Sequence, residues 1–116
     1  MEQFEYELTY VNLTPHKITV LCGHTLQPVM TLPPSGAVAR VSAIPQRVGN
    51  DGKIMFFRTQ YGIIEGLPSP VPGTRYIASA QLRLAVHHRN DVVSPGHQVR
   101  DSDGNTTGCI GLEVQP

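Results

Sequence analysis

The densest group of side chains able to hold a ligand lies in the second half of the chain. The segment Arg89-Asn90-Asp91 is preceded by His87-His88 and followed by His97 and Arg100, and Arg75 lies just before the same element. The planar guanidinium of arginine can donate two hydrogen bonds to a phosphate, and side-chain amides pair with the polar edges of nucleobases. Imidazole can bind either group. Together these residue types predict a site for an anionic molecule that contains a ring. The alternative is structural: Asn90-Asp91 turns the chain, and Arg89 caps the carboxyl end of a helix.

The histidines and cysteines are poorly spaced for a metal site. His87 and His88 are adjacent, so their side chains point in different directions, whereas paired ligands on a helix are four residues apart. A zinc site from Cys22, His24, Cys109 and a further histidine is an alternative, because Cys22 and His24 share one face if their strand continues. Surface histidines and small, packed, unpaired cysteines are the simpler interpretation. We therefore predict neither a metal nor a cofactor.

Motifs for catalysis are also lacking. The sequence contains no Gly-x-Ser-x-Gly turn for a nucleophilic serine and no glycine-rich phosphate loop. Asp101 and Asp103 flank a turn, where aspartate commonly bonds to the backbone. Cys109 begins an alternating run that predicts a strand with a packed thiol. We expect a binding protein and not an enzyme; a small hydrolase that uses Cys109 or His16 is an alternative.

The composition predicts one domain, residues 1–116, that associates with itself. A chain of 116 residues can bury a core without disulfides or metal. Only 16% of its residues are charged, against about 25% in an ordinary protein, and its net charge is zero. A weakly charged surface is easy to desolvate at an interface. This favours a homo-oligomer; a monomer with a plain surface is the alternative.

Charge distribution and hydropathy argue against several classes of partner. Residues 8–116 contain nine cations and six acids, a mild excess that makes nucleic acid an unlikely partner. The mean hydropathy is −0.14, and no apolar run approaches the roughly 20 residues that span a bilayer, so we expect no membrane partner. Residues 1–7 are acidic and lack the basic and apolar segments of a signal peptide. We therefore expect a cytoplasmic location.

Ten prolines and eleven glycines spread along the chain favour short strands joined by turns. Strands are predicted over residues 8–13, 17–22, 29–32, 37–43, 53–61, 76–78, 98–101 and 108–114, and residues 91–93 lead to a turn at 94–96. Pro45 is expected to end the fourth of these, and residues 49–52 and 102–105 form hairpin tips. Residues 65–73 form a rigid extended loop.

Residues 79–86 are the one candidate helix. Ser79 can cap it, and Leu82 and Val86 lie one helical turn apart. Alternation of Leu82, Leu84 and Val86 with the residues between them supports a strand almost as well, but we favour the helix. The predicted fold class is therefore mainly β, or α+β: a small barrel or sandwich of about eight short strands with at most one short helix.

Two regions resemble a group of small uncharacterised proteins of phages, prophages and some bacteria. In the first half, Asn12-Leu13-Thr14-Pro15-His16 precedes a strand, and Pro33-Pro34-Ser35-Gly36 is followed by Ala39-Arg40-Val41. The second half matches at Gly66-Leu67-Pro68, Pro70, Gly73-Thr74, Tyr76-Ile77, Ser79, Arg89, Asp91, Ser94-Pro95-Gly96, Val99-Arg100-Asp101 and Gly108-Cys109. No established activity is known for the group, so the resemblance implies an origin and no mechanism.

The resemblance changes the weight given to individual residues. Asn12 and Thr14 lie on one strand face, with His16 just beyond them, so all three are expected to line a site. Arg89 and Asp91 also match the group, whereas the histidine pair before them does not. The predicted ligand-binding residues are Asn12, Thr14, His16, Arg75, Arg89, Asn90, Asp91 and Arg100.

The function expected from these observations is non-catalytic binding by a phage-type protein in the host cytoplasm. More specifically, we expect an anti-defence protein that either sequesters a nucleotide-derived immune signal or blocks a host protein. An accessory protein of virion structure or assembly is an alternative, because low charge also serves subunit packing.

Overall fold

The computed structural model describes residues 8–116, so the acidic segment over residues 1–7 lies outside the described residues. The described chain forms eight strands and one helix: β1 (Thr9–Asn12), β2 (Ile18–Leu21), β3 (Pro28–Leu32), β4 (Arg40–Asn50), β5 (Met55–Glu65), β6 (Thr74–Ile77), α1 (Ala80–Ala85), β7 (Val92–Arg100) and β8 (Thr106–Glu113). The predicted mainly β fold, a small barrel or sandwich of about eight short strands with at most one short helix, is confirmed in its barrel form, with six of the eight strands in one barrel-like sheet. None of the helical structure in residues 8–116 is long and apolar enough to cross a membrane.

Six strands form one curled sheet in the order β1-β6-β7-β8-β2-β3. Strands β1, β6 and β7 run parallel to one another, β8 is parallel to β2, and the remaining neighbours are antiparallel. The two edge strands approach each other at Asn12, whose side-chain amide donates to the Leu32 carbonyl at 3.2 Å. The Ser35 amide donates to the Asn12 carbonyl at 3.1 Å. These bonds bring the sheet close to a closed barrel.

The sheet has a buried cluster on each face, because successive strand residues point in opposite directions. Within β6, Tyr76 belongs to one cluster and Ile77 to the other; within β7, Val92 and Val93 divide in the same way. The cluster inside the curled sheet comprises Ile18, Val20, Ile77, Val93 and Cys109. The outer cluster, between sheet and helix, comprises Leu13, Ala39, Tyr76, Ala78, Leu82, Val86 and Val92.

Helix α1 begins where the sequence places it. The Ser79 hydroxyl accepts from the Leu82 amide at 3.2 Å, which satisfies one of the unpaired amides of the first turn. Leu82 and Val86 are buried against the sheet, and Leu84 is exposed. The strand alternative for this segment is therefore wrong: a strand would place Leu82, Leu84 and Val86 on one face, whereas the helix buries Leu82 and Val86 and exposes Leu84.

Strands β4 and β5 form a separate two-stranded hairpin, which we call the arm (residues 40–65). The prediction that Pro45 ends its strand is wrong: β4 continues to Asn50, and Pro45 pairs with Thr59. Proline lacks an amide hydrogen but is tolerated in an edge strand, where one side needs no donor. Strand β5 likewise extends to Glu65, beyond the predicted end at residue 61.

Strand β7 also passes through a proline. Pro95 and Gly96 lie within it, although the sequence places them between two separate segments. Strand β6 pairs with β7 only at Val92 and Val93, so Pro95 has no partner on that side. Gly96 lies against the Ile110 and Gly111 carbonyls so closely that a Cβ would collide with them. The Pro-Gly pair is therefore part of the strand.

Candidate functional site

A cavity of about 630 Å³ opens at the end of the barrel where β1 and β6 finish and β2 and β8 begin. We call it the end pocket. Its polar lining consists of Thr14, His16, Lys17, Thr19, Ser79, Gln98 and Thr106. Its other lining residues are Pro15, Ile18, Pro95, Gly108 and Cys109. Its volume lies within the range of about 300–1,000 Å³ that is typical of small-molecule sites.

The loop between β1 and β2 is folded around Asn12, which is only 2% exposed. Its side-chain oxygen accepts from the Thr14 amide at 2.9 Å and from the Thr14 hydroxyl at 2.7 Å. Its side-chain nitrogen donates to the His16 carbonyl at 2.8 Å. Asn12 therefore lies behind the end pocket and shapes the loop, while Thr14, His16 and Lys17 line the pocket itself.

The end pocket is suited to negative charge. His16 and Lys17 are exposed, and neither side chain has a hydrogen-bond or ion-pair partner among residues 8–116. The described lining contains no carboxylate. A cleft with a cation and no acid concentrates anions, so the geometry favours a ligand that contains phosphate or carboxylate.

Strands β7 and β8 supply the opposite wall through Gln98 and Thr106. Arg100, one of the predicted ligand residues, donates to the Gln98 side-chain oxygen at 3.1 Å and to the Gly104 carbonyl at 2.9 Å. These bonds leave the Gln98 side-chain nitrogen available as a donor. Arg100 therefore lies beside the end pocket and orients a residue that lines it.

The predicted set Arg89, Asn90 and Asp91 lies elsewhere, at the turn after α1. The guanidinium of Arg89 donates to both oxygens of Asp91 at 2.8 Å and to the Pro68 carbonyl at 2.9 Å. The hydrogen bonds and charge of Arg89 hold the pKa of Asp91 below its ordinary value. The ion pair therefore fastens the extended loop over residues 66–73, and Asn90 occupies the exposed turn.

Arg75 lies at the other end of the barrel. It lines a second cavity, of about 510 Å³, among mainly apolar residues that include Tyr10, Met30 and Leu112. The eight predicted site residues are thus divided: Thr14 and His16 line the end pocket, Asn12 and Arg100 support it, and the other four lie away from it. Ligand contact by these residues remains a prediction.

The two residues proposed for hydrolysis, Cys109 and His16, both line the end pocket. The Cys109 thiol is 4% exposed, and it donates to the Thr19 carbonyl at 3.7 Å and not to an imidazole. Both Cys109 and Cys22 are free thiols. Across residues 8–116, no three His, Cys, Asp or Glu side chains are grouped to hold a metal ion.

Sequence reasoning missed five polar residues of the end pocket: Lys17, Thr19, Ser79, Gln98 and Thr106. Lys17 directly follows the resemblance motif that ends at His16, so extending that motif by one residue would have found it. Ser79 was interpreted only as a helix cap. No local signal identifies Gln98 and Thr106, because they are far in sequence from residues 14–19 and the sheet order β7-β8-β2 alone brings them to the same pocket.

Comparison of the chain with protein-family models, curated proteins and solved structures finds no match.

Proposed function

We propose that this chain is a binding protein that captures a small anionic, ring-containing molecule of the nucleotide class in the end pocket and releases it chemically unchanged. The observation that supports this most directly is the composition of the pocket. It combines His16 and Lys17 with hydroxyl and amide donors, and its described lining contains no acid. That combination suits phosphate at one side and a polar ring edge at the other.

Each wall of the end pocket has a distinct part in this proposal. Lys17 supplies a compact positive charge for a phosphate group, and His16 adds a hydrogen bond or a second charge. The Gln98 side-chain nitrogen and the Thr106 hydroxyl face the ring edge. Pro15 and Pro95 supply apolar surface against which a flat ring can pack.

The biological role proposed for this binding is anti-defence: sequestering a nucleotide-derived immune signal, or blocking a host protein. Its support is the resemblance of Asn12 to His16, and of the second half of the chain, to small phage proteins. Sequestering requires tight binding without conversion, so the state of the recovered ligand is informative.

The test is isothermal titration calorimetry with a panel of nucleotide second messengers, followed by heat denaturation and mass analysis of the released ligand. We expect one class of nucleotide to bind and to be recovered intact. His16→Ala combined with Lys17→Ala should weaken binding at least tenfold. The matched control combines His88→Ala with Lys53→Ala, which removes the same two residue types from exposed positions outside the pocket.

Two outcomes would count against the proposal. If no nucleotide binds, the ligand class is wrong; if both double variants bind equally well, the end pocket is not the site. Recovery of a chemically altered ligand would instead favour the hydrolase. Cys109→Ala then provides the decisive variant, because loss of conversion with binding retained would identify the thiol as the nucleophile.

An accessory role in virion structure or assembly is the second candidate function. The arm favours it, since β4 and β5 project apolar side chains that the rest of the described chain does not cover. The two functions differ in where the protein is found. Stoichiometric abundance in purified particles would favour assembly, whereas absence from particles would favour capture of a soluble ligand.

A further inference from the structure

The arm extends well away from the barrel. The radius of gyration is 16.9 Å and the longest dimension is 54 Å, whereas a compact chain of this length has a radius of gyration of about 13 Å. Each strand of the arm has 11 residues, which corresponds to about 36 Å of extended chain. Only the base of the arm packs on the outer cluster, through Val41 and Ile64.

The projecting part of the arm is unusually apolar for an exposed surface. Its large apolar side chains are 50–81% exposed: Ile44, Val48, Ile54, Met55, Phe56, Phe57 and Ile63. At roughly 100 Å² for each half-exposed large side chain, these residues present on the order of 700 Å². Consecutive strand residues such as Phe56 and Phe57 point to opposite faces, so this area is divided between the two faces of the ribbon. Both faces of the arm are therefore apolar and exposed, which is typical of an interaction surface.

The arm also has unpaired strand edges. Within residues 8–116, β4 and β5 pair only with each other. Two-stranded ribbons are marginally stable alone, and their free edges are templates for another strand. Pro45 makes β4 unsuitable as a central strand, because proline cannot donate to a second neighbour. Strand β5 contains no proline, so its edge is the one open to pairing.

We propose that the arm is a self-association surface on which β5 of one copy pairs antiparallel with β5 of a second copy across a two-fold axis. The product is a four-stranded ribbon with β4 at both outer edges. A second copy is the occupant that the observations favour, because one surface then satisfies both partners. The exposed apolar side chains of β5, namely Met55, Phe56, Phe57 and Ile63, lie along the edge that pairs.

The charges of the chain are compatible with this pairing. The net charge is zero, so two copies do not repel each other at long range. A two-fold axis near Gln60 places Phe57 of one copy opposite Ile63 of the other, on the same face of the ribbon. Arg58 is then opposite Gly62 and does not face a second arginine. This register therefore joins apolar side chains and separates like charges.

Light scattering after size exclusion, at tens of micromolar protein, tests the association. We expect a mass of two chains or an even multiple, each chain being 12.7 kDa. Phe56→Ser with Phe57→Ser should give a mass of one chain and keep the far-ultraviolet circular dichroism of the folded barrel, because neither side chain is in a buried cluster. The control, Val71→Ser with Leu84→Ser, removes exposed apolar residues outside the arm and should keep the parental mass. A monomeric parent, or an arm variant of unchanged mass, overturns the proposal.

Cysteine cross-linking tests which edge pairs. In a Cys22→Ser background, Gln60→Cys should oxidise to a covalent dimer, since opposed residues in antiparallel strands are within disulfide reach. Gln46→Cys, on β4 of the same arm, should not, because three strand spacings of about 4.8 Å would separate the two copies. Dimers from Gln46→Cys and none from Gln60→Cys would contradict the assignment of β5. Neither result depends on ligand binding, so this inference and the proposed function fail separately.

Discussion

Arg83 and Ser94 form a buried hydrogen bond between helix α1 and strand β7, with 2.9 Å between Nε and Oγ. Arg83 is 4% exposed and Ser94 is fully buried. A second nitrogen of the guanidinium donates to the Val114 carbonyl at 3.1 Å, and a third lies 3.4 Å from the mostly exposed Glu113 carboxylate. One side chain thus joins the helix, β7 and the end of the chain.

Arg83→Met should lower the free energy of unfolding by about 2–3 kcal/mol. The substitution preserves apolar volume but leaves the Ser94 hydroxyl and the Val114 carbonyl without their donor. Urea denaturation followed by circular dichroism measures the change. Glu113→Gln is the control: it should change stability by less than about 0.5 kcal/mol, because exposed ion pairs contribute little. If the two variants are equally destabilised, the buried hydrogen bonds are not the main contribution.

Asp91→Asn should destabilise the protein by about 1–2 kcal/mol at neutral pH, because it removes the charge that Arg89 contacts twice. The pKa of Asp91 is lowered in the folded state by Arg89. Its contribution is therefore present above the ordinary carboxyl pKa of about 3.9 and is lost as the pH falls through the lower folded value.

Melting temperatures of the parent and of Asp91→Asn should consequently converge as the pH falls below about 4. Differential scanning fluorimetry measures both melting temperatures across about pH 2–7, the range in which carboxyl groups titrate. Asp103→Asn serves as the control, since Asp103 lies in an exposed hairpin turn without an ion pair among the described residues. A parent-to-variant difference that stays constant with pH would show that the ion pair is not its cause.

Asn12→Ala should destabilise the fold by about 2–3 kcal/mol, because it removes part-buried hydrogen bonds to the Thr14 amide and His16 carbonyl of the loop and to the Leu32 carbonyl of β3. Thr14→Val tests the local part of the network: it removes the hydroxyl bonds to the Asn12 side-chain oxygen and to the His16 backbone, keeps the Asn12 bond to Leu32, and should cost about 1 kcal/mol. Chemical denaturation measures both. Equal, small effects would indicate that Asn12 does not organise the loop of the end pocket.

Cys22 should react with iodoacetamide much faster than Cys109. Backbone amides of Thr25 and His24, together with the Thr25 side chain, lower the pKa of the Cys22 thiol by stabilising its thiolate. Cys109 is buried. Mass spectrometry of the native protein should show one rapid modification, which Cys22→Ser abolishes and Cys109→Ser does not. The rate of this modification should increase with pH, and the midpoint of the increase should lie below the ordinary thiol pKa of about 8.5.

Local sequence patterns predicted most of the secondary structure. Alternation identified β1, β2 and β3 to within a residue or two, and the turn residues of 102–105 located the last hairpin. The Ser79 cap located the helix. Prolines were the exception: Pro45 and Pro95 lie inside strands. A proline ends a strand only where its missing amide hydrogen would be needed by a neighbouring strand. Whether a neighbour lies on that side is a property of the sheet and not of the local sequence.

The candidate site was less predictable than the elements. Residue type identified polar groups able to hold a ligand, but not which of them remain free in the fold. Arg89 and Arg100 have the donors that a phosphate needs, yet in the fold these donors contact the Pro68 and Gly104 carbonyls, Asp91 and Gln98. Asp91, Gln98 and Gly104 lie within four residues of these arginines, but only the fold decides that the guanidinium groups turn toward them, and the Pro68 carbonyl is 21 residues away from Arg89.

The sequence by itself determined a mainly β chain, its single capped helix and a low-charge surface, since these depend on short-range preferences and composition. Only the tertiary structure decided that Thr14 and Lys17 share a pocket with Gln98 and Thr106, because the order β7-β8-β2 brings distant segments together. It likewise decided that β4 and β5 project from the barrel, since pairing and burial are long-range properties that no local pattern specifies.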